Sequence, residues 1–351
     1  MTGRPTSRFR RRGALATGAA ALASLGSTRL PRARAAGQLP PGQLALLFAG
    51  GLWLANADGR QRQLVAPTGY AGWLQDPAWS PDGTLLAYTD VRWPANAFQP
   101  GAGTPWPIGE VYTVAALDPQ ATPQRLVTQQ SEKEVFVSAA WAPDGAALYV
   151  VRRRPAPGSA VDAVSDLLRV DATTGESQVL DLGISPSEVA VARDGTLAVV
   201  GVPKPGMSGI QPDRLYLVSP NGVPAEVASA APETGLESIT LLRFAPDGRL
   251  AFAAGSGGLP AVLRDAAPAT GPHVAHAHGV ITWPWAFDPS TGGLRRTSGP
   301  GFDDLAGLAW SGDGNQLLVL DVNNLALVQP NGARQPIPEV KGYGLAWFPG
   351  S

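Results

Sequence analysis

The sequence predicts an all-β fold, a six-bladed β-propeller built from four-stranded blades. A turn motif, clearest from Trp79 to Gly83, recurs in frame along the chain and is followed each time by an apolar, strand-like run. The 42 glycines and 34 prolines suit many short strands joined by tight turns. No long helical periodicity is visible after residue 40. Together these observations favour a repeat fold made of strands.

The recurring motif has the residues of a β-hairpin turn. Pro81 presets φ at the second turn position, Asp82 tolerates the third, and Gly83 adopts the left-handed conformation that lets the chain return. Further copies begin at a large apolar residue: Trp141, Val191, Phe244, Trp310 and, truncated, Trp347. Turn aspartates of the complete copies lie 62, 50, 53 and 66 positions apart, the spacing of one blade plus its loops. We interpret the large residues as wedges between blades.

The spacing of the copies predicts how the ring is assembled. Five blades are expected at 72–128, 135–180, 186–228, 238–297 and 304–337. The first blade has only three strand-like pieces, between Leu44 and Val65. The terminal copy, from Gly344 to Trp347, would supply its fourth strand. This C-terminal strand would join the N-terminal three, close the ring and leave no exposed sheet edge.

The repeated turn, Trp79 to Gly83 with its copies, resembles the TolB-like propeller repeat, a bacterial relative of the WD repeat. The resemblance covers residues 43–351. It implies a six-bladed propeller that is often periplasmic or secreted and often a platform for protein or small-ligand binding. The chain shows no counterpart of the extra N-terminal domain of the Tol-system protein, or of the catalytic domain of prolyl-peptidase-type enzymes. The resemblance therefore implies a fold rather than an activity.

Residues 1–35 contain eight arginines and no acidic residue, unlike the rest of the chain. Arg11 and Arg12 resemble a twin-arginine export signal, and an apolar run from Ala14 to Leu25 precedes a small-residue cleavage site at 33–35. We therefore expect a cleavable signal peptide at 1–35, a linker at 36–42 and the propeller at 43–351. The alternative is a basic arm that binds nucleic acid. Export would place the protein in the periplasm, outside the cell or on its surface.

Charge and cysteine content exclude several kinds of partner. The formal charge of the whole chain is −1, and it becomes −9 when the eight N-terminal arginines are removed. Nucleic acid is therefore an unsuitable partner, and no membrane insertion of the mature chain is expected. The chain has no cysteine, which excludes disulfides and thiolate chemistry. We expect a monomer that binds a protein, peptide or glycan.

Four long connections between second and third strands carry the main functional signal. They span 89–110, 152–166, 201–213 and 255–280, and all should leave the same face of the propeller. Aromatic residues in or beside them are the predicted binding residues: Trp93, Phe98, Trp106, Trp283 and Trp285. The alternative is that these connections are tolerated insertions folded over the surface.

A metal site is the second candidate. All three histidines, His273, His276 and His278, fall in one predicted loop and could bind a divalent cation through neutral imidazole. A solvated loop is the alternative. No enzyme signature is present, so no catalytic residue is predicted and no cofactor is expected apart from such a metal.

Acidic residues that precede the predicted innermost strands supply a further candidate site. They are Asp76, Glu134, Glu188, Glu237, Asp303, Asp304 and Glu339. At the channel mouth they could hold a cation or activate a water, as in propeller lactonases. The alternative is that they are solvated loop charges that keep the protein soluble.

These candidate sites lead to two possible functions. The sequence favours a noncatalytic binding propeller, and the alternative is a propeller hydrolase or lyase.

Overall fold

The structure is a computed structural model. It describes residues 42–67, 72–93, 107–118, 120–131, 133–156, 163–204, 212–230, 236, 238–255, 281–298, 300–303, 305–321, 324–338 and 340–348. The predicted signal peptide and all of the linker except Gly42 lie outside these residues, so that boundary stays a prediction. Within the described ranges the chain forms strands and no helix, and so no helix there is long and apolar enough to span a membrane.

Twenty-five strands are present in the described residues. The first twelve are β1 (Gln43–Phe48), β2 (Gly51–Asn56), β3 (Gln63–Pro67), β4 (Gly72–Trp79), β5 (Leu85–Arg92), β6 (Ile108–Ala115), β7 (Gln124–Val127), β8 (Val135–Trp141), β9 (Ala147–Pro155), β10 (Ala163–Asp171), β11 (Ser177–Leu180) and β12 (Ile184–Val191). The others are β13 (Leu197–Pro203), β14 (Arg214–Val218), β15 (Pro224–Ser229), β16 (Thr240–Phe244), β17 (Leu250–Gly255), β18 (Ile281–Asp288), β19 (Gly293–Arg296), β20 (Phe302–Asp303), β21 (Leu305–Trp310), β22 (Leu317–Asp321), β23 (Leu325–Val328), β24 (Arg334–Ile337) and β25 (Leu345–Phe348).

The strands form antiparallel meanders, which we number as units. Unit 1 has the order β25-β1-β2-β3, unit 2 is β4 to β7, unit 3 is β8 to β11, unit 4 is β12 to β15, unit 5 is β16 to β19 with β20 beside β18, and unit 6 is β21 to β24. Units 2 and 3 share one eight-stranded sheet because a single parallel bridge joins Gly109 to Val135. The C-terminal strand β25 pairs with β1, with Leu44 opposite Trp347. The predicted partner of the N-terminal three strands is therefore confirmed.

The first strand of each unit is its inner strand. These strands contact one another in the order β4, β8, β12, β16, β21, β25, and β25 contacts β4. Six clusters of buried apolar side chains lie between consecutive units among the described residues, and each draws on both neighbours. Each sheet thus buries both of its faces against other sheets.

Local hydrogen bonds explain why the inner strands turn where they do. The Asp82 carboxylate accepts the Ser80 hydroxyl at 2.6 Å and the Thr84 amide at 3.0 Å. Gly83 has φ +71°, and the ring of Phe348 covers it so closely that a Cβ would lie 2.4 Å from a ring carbon. Only glycine satisfies both the dihedral angle and the contact. These turns form one edge of the molecule, which we call the turn edge.

The opposite edge carries the connections between second and third strands, and we call it the connection edge. Long segments link four pairs of strands there: β5 to β6, β9 to β10, β13 to β14 and β17 to β18. The corresponding links in units 1 and 6 are short, at 49–50 and 322–324. The predicted asymmetry between the units is therefore present in the strand order.

The large residues at the ends of the inner strands pack between units, as predicted. Trp141 and Trp310 are buried and donate their indole N–H to a backbone carbonyl of the preceding unit, to Ala78 at 3.1 Å and Arg243 at 3.0 Å. Trp347 is buried in the cluster between units 6 and 1. The junction of β21 and β25 also depends on Gly307, where a Cβ would lie 2.5 Å from the Leu345 Cβ and 3.0 Å from its amide nitrogen.

We predict that Gly307→Ala weakens the junction of units 6 and 1. The methyl group would push against the backbone of β25, and overpacking of this kind costs about 1–3 kcal/mol of unfolding free energy. Urea unfolding measures the effect. Gly293→Ala on the exposed strand β19 is the control, since its nearest neighbour is a side-chain atom of Thr291 at 3.1 Å. Equal midpoints for the two variants would contradict the prediction.

Candidate functional site

The inner strands enclose two cavities that meet end to end. A cavity of about 330 Å³ lies toward the connection edge, and one of about 650 Å³ lies toward the turn edge. Four residues line both and mark the place where they meet: Asp76, Pro77, Ser138 and Arg243. The candidate site is built around this junction.

A β-bulge in the inner strands turns polar groups into the cavities. The pairing register shifts at this level in β4, β8, β12, β16 and β21. Asp76, Ser138 and Leu241 have φ of 50°, 53° and 58° there, a left-handed conformation that costs free energy in residues other than glycine. Bulges re-aim side chains, and strained backbone concentrates at functional sites.

The residues at or next to these bulges occupy one position of the repeat, three before the large wedge residue, and Gly344 holds the same position before Trp347. In chain order they are Asp76, Ser138, Glu188, Leu241, Gly307 and Gly344. Three successive copies are polar at this position, whereas the next three are apolar or glycine. An alignment of the six copies shows this run of three polar residues at one repeat position, and that is the sequence signal for the site.

The polar residues bind the backbone of the next unit. The Asp76 carboxylate accepts the Ser138 amide at 2.9 Å, and the Ser138 hydroxyl accepts the Val189 amide at 3.0 Å. Glu188 accepts two amides, Leu241 at 2.8 Å and Leu242 at 2.6 Å, one on each carboxylate oxygen. Units 2 to 5 are therefore linked in sequence by hydrogen bonds at the level of the site.

Arg243 supplies the positive charge at the junction. One of its guanidinium nitrogens donates to the Leu242 carbonyl at 2.7 Å. Among the described residues it forms no ion pair, because no carboxylate oxygen lies within 4.0 Å of its nitrogens. The charge nevertheless acts on both nearby carboxylates. Most donors of this side chain are therefore available to a ligand.

Burial makes ionisation of both carboxyl groups unfavourable. Protein surrounds Glu188, and this burial, together with the neighbouring Asp76, raises its pKa from 4.5 to about 7; the Arg243 charge and the two amides oppose the shift. Burial also raises the pKa of Asp76, against the opposing effect of Arg243. Both side chains keep some surface toward the channel. We assign the shifts chiefly to lost hydration in the narrow channel.

Aromatic and polar side chains line the cavity toward the connection edge. They are Trp73, Gln75, Arg153 and Tyr343. Trp73 packs against Trp93, with ring centroids 6.0 Å apart and tilted by 48°. Tyr343 is 42% exposed, and its backbone amide is fixed by the Leu47 carbonyl at 3.0 Å. The mouth of the cavity is therefore partly aromatic.

The five predicted binding residues have different positions in the structure. Trp93 lies at the end of β5 beside the cavity residue Trp73. Phe98 and Trp106 lie outside the described residues. Trp283 and Trp285 lie on β18, where the Arg296 guanidinium stands 4.6 Å and 5.1 Å from their ring centroids. Trp283 is only 8% exposed, so in this conformation it offers little surface to a partner.

The candidate metal ligands are not described. His273, His276 and His278 all lie outside the described residues, so the histidine site stays a prediction. Within the described part of the chain, no group of three or more histidine or acidic side chains could hold a metal ion.

The acidic residues before the inner strands have different environments. For Asp76 and Glu188 the interpretation as solvated loop charge is wrong, because the bulges turn both into the channel. Glu134 is also buried and pairs with Arg152 at 3.3 Å, whereas Asp303 is exposed. The remaining three lie outside the described residues: Glu237, Asp304 and Glu339. Sequence reasoning missed Ser138 and Arg243 altogether.

Comparison with solved structures identifies the class of fold. The nidogen/laminin complex contains a chain similar to this one, with a TM-score of 0.58, 11% identity, and coverage of 87% of this chain and 97% of that chain. A TolB structure from Agrobacterium tumefaciens has a TM-score of 0.51 and 17% identity over 78% and 83% of the two chains. An oligogalacturonate lyase in complex with manganese reaches 0.48, at 16% identity over 81% and 69%.

These neighbours are propeller proteins of mixed function, and the described chain is all-β. The protein therefore has a propeller-type fold. No family model matches the chain, and no curated protein sequence matches it. At these identities the likeness shows the fold alone.

We predict that Glu188 makes the native state less stable as the pH rises from 5 to 8. The unfolded carboxyl ionises near pH 4.5 and the native one near pH 7, so between these values the unfolded state releases its proton first and is favoured. The free energy of unfolding of the wild type, minus that of Glu188→Gln, should fall by on the order of 2 kcal/mol. Denaturant unfolding at several pH values measures it.

Ser187→Ala is the control for this experiment, since it changes the neighbouring side chain on the same strand without removing a titrating group. It should retain the pH dependence of the wild type. If Glu188→Gln shows the same pH dependence as the wild type, Glu188 ionises normally in the folded protein.

Proposed function

We propose that the chain is a six-bladed, TolB-like β-propeller that acts as a noncatalytic binding protein. The six units are its blades, and the pairing of β25 with β1 closes the ring. The cyclic contacts of the inner strands and the six intervening core clusters support this arrangement. The ligand is a protein, peptide or glycan bound at the connection edge.

One observation carries the binding proposal: the cavity of about 330 Å³ opens at the edge from which the four long connections leave. A concave pocket with a few convergent polar groups is the usual form of a ligand site. Binding residues are also carried disproportionately by loops on a rigid scaffold. The pocket and the loops therefore favour the same edge.

A hydrolase or lyase is the second candidate, and one observation favours it. Two carboxyl groups, Asp76 and Glu188, face one channel, and the pKa of Glu188 is raised to about 7, as general acids require. However, both oxygens of Glu188 already accept backbone amides, which suits a fixed structural carboxylate. We therefore favour a binding function over a catalytic one.

We predict that Trp93→Ala weakens binding at the connection edge at least tenfold, since a buried aromatic anchor contributes on the order of 2 kcal/mol. The mature chain, from residue 36, would be applied to an array of immobilised glycans and peptides, and the strongest signals titrated. Leu117→Ala is the control, because this exposed residue lies in a turn at the other edge. A large drop in melting temperature with unchanged binding would contradict the prediction and show that Trp93 packs against the fold and does not contact the ligand.

We further propose that the protein works after export, in the periplasm, outside the cell or at its surface, as a monomer. Nucleic acid and the membrane interior are not its partners. The basic, apolar and small-residue segments of 1–35 occur in the order of a signal peptide, and the negative charge of the remaining chain supports the choice of partners.

We predict that Arg11→Lys with Arg12→Lys retains the precursor in the cytoplasm. The twin-arginine receptor reads paired guanidinium groups, so that equal charge on lysine is insufficient. Cell fractionation of the tagged full-length chain measures this. Arg29→Lys with Arg32→Lys is the matched control and should be exported normally. Normal export of the first variant would point to the general route instead.

A further inference from the structure

The cavity at the connection edge contains hydrogen-bonding groups that the fold does not use. Oδ2 of Asp76 accepts the Ser138 amide, whereas Oδ1 has no partner among the described residues. Arg243 uses one donor, and the side chains of Gln75 and Tyr343 make no hydrogen bond within the same part of the chain. Polar groups in a narrow channel are costly unless water or a ligand pairs them.

These groups include both hydrogen-bond donors and hydrogen-bond acceptors. Arg243 only donates, ionised Asp76 only accepts, and Gln75 and Tyr343 do both. A hydroxyl group also does both, with one donor and two acceptor lone pairs. A ligand with several hydroxyls could therefore pair donors and acceptors of this lining at the same time.

The lining carries ionisable groups of both signs. The carboxyl groups of Asp76 and Glu188 lie in the same lining as the guanidinium groups of Arg153 and Arg243. An anionic ligand would approach the carboxylates, and a cationic one would approach the arginines. Either would lose its hydration beside a group of its own sign. The mixture of signs favours a neutral, polar ligand.

Aromatic surface completes the lining. Trp73 and Tyr343 contribute their rings near the mouth, and Trp93 supports Trp73 from outside the lining. Aromatic faces cover the apolar C–H surface of a ligand whose edges carry polar groups. The volume, about 330 Å³, lies at the small end of ligand pockets, which suits the end of a chain rather than its length.

We propose that this cavity binds the terminal unit of a neutral saccharide. Asp76 accepts from its hydroxyls, Arg243 donates to them, Gln75 does both, and Trp73 and Tyr343 cover the ring. Charge-assisted hydrogen bonds, accepted by Asp76 and donated by Arg243, provide most of the specificity. This inference rests on the proposed binding function and names the ligand class of the same site.

The test is calorimetric titration of the mature chain with maltose, cellobiose, lactose and trehalose as probes. Glutamate, spermidine and trialanine are the charged and peptide comparators. We expect millimolar or tighter binding of at least one disaccharide and no binding of the comparators. Gln75→Leu and Arg243→Met should each weaken that binding about tenfold. Arg193→Met, an exposed arginine at the turn edge, should leave it unchanged.

Three outcomes would overturn the inference: no disaccharide binds, a comparator binds instead, or binding is insensitive to both cavity variants. Gln75→Leu keeps the test valid if Arg243→Met fails to fold, because Gln75 forms no side-chain hydrogen bond with the described residues. The proposal that the protein is a binding propeller does not depend on this result. Array binding that depends on Trp93 with no disaccharide signal would leave a binding propeller whose ligand is a peptide or protein.

Discussion

The structure depends on the packing of one four-stranded sheet against the next. A meander of this size has two apolar faces and is unstable alone, so each face must be covered by a neighbour. The six buried clusters do this, and the large residue that ends each inner strand fits between sheets. Trp141 and Trp310 add an indole hydrogen bond to the preceding unit. Burial provides the driving force, and these bonds fix the relative positions of the sheets.

The position three residues before the wedge shows how one place in a repeat serves two purposes. In units 2 to 4 it is polar, and Asp76, Ser138 and Glu188 bind the backbone amides of the following unit. In unit 6 it is Gly307, where the missing side chain makes room for Leu345. Hydrogen bonds therefore stabilise one side of the channel, and close apolar packing stabilises the other. Because the polar copies are consecutive, their side chains converge on one part of the channel and create a site.

The strands and turns could be predicted because their signals are local. Pro81, Asp82 and Gly83 determine a turn whatever surrounds them, and the terminal copy at Trp347 indicated its partner by repetition. The channel site depends on neighbours in space: Asp76 looks like loop charge until the bulge and Ser138 are known. Trp283 shows the opposite case, because an aromatic beside a long loop suggests exposure, whereas this side chain on β18 is buried beside the Arg296 guanidinium. Arg243 carried no sequence signal except its place in the repeat.

The electrostatics of the channel connect stability with function. Burying two carboxylates near one guanidinium costs free energy, and the raised pKa of Glu188 is the measure of that cost. A sequence selected for stability alone would place an apolar side chain here, as unit 5 does with Leu241. Strained dihedral angles at Asp76, Ser138 and Leu241 add to the cost, and the packing of neighbouring sheets supplies the rigidity that maintains them. Costs of this kind persist where preorganised polar groups bind a ligand, because a rigid site loses little entropy on binding.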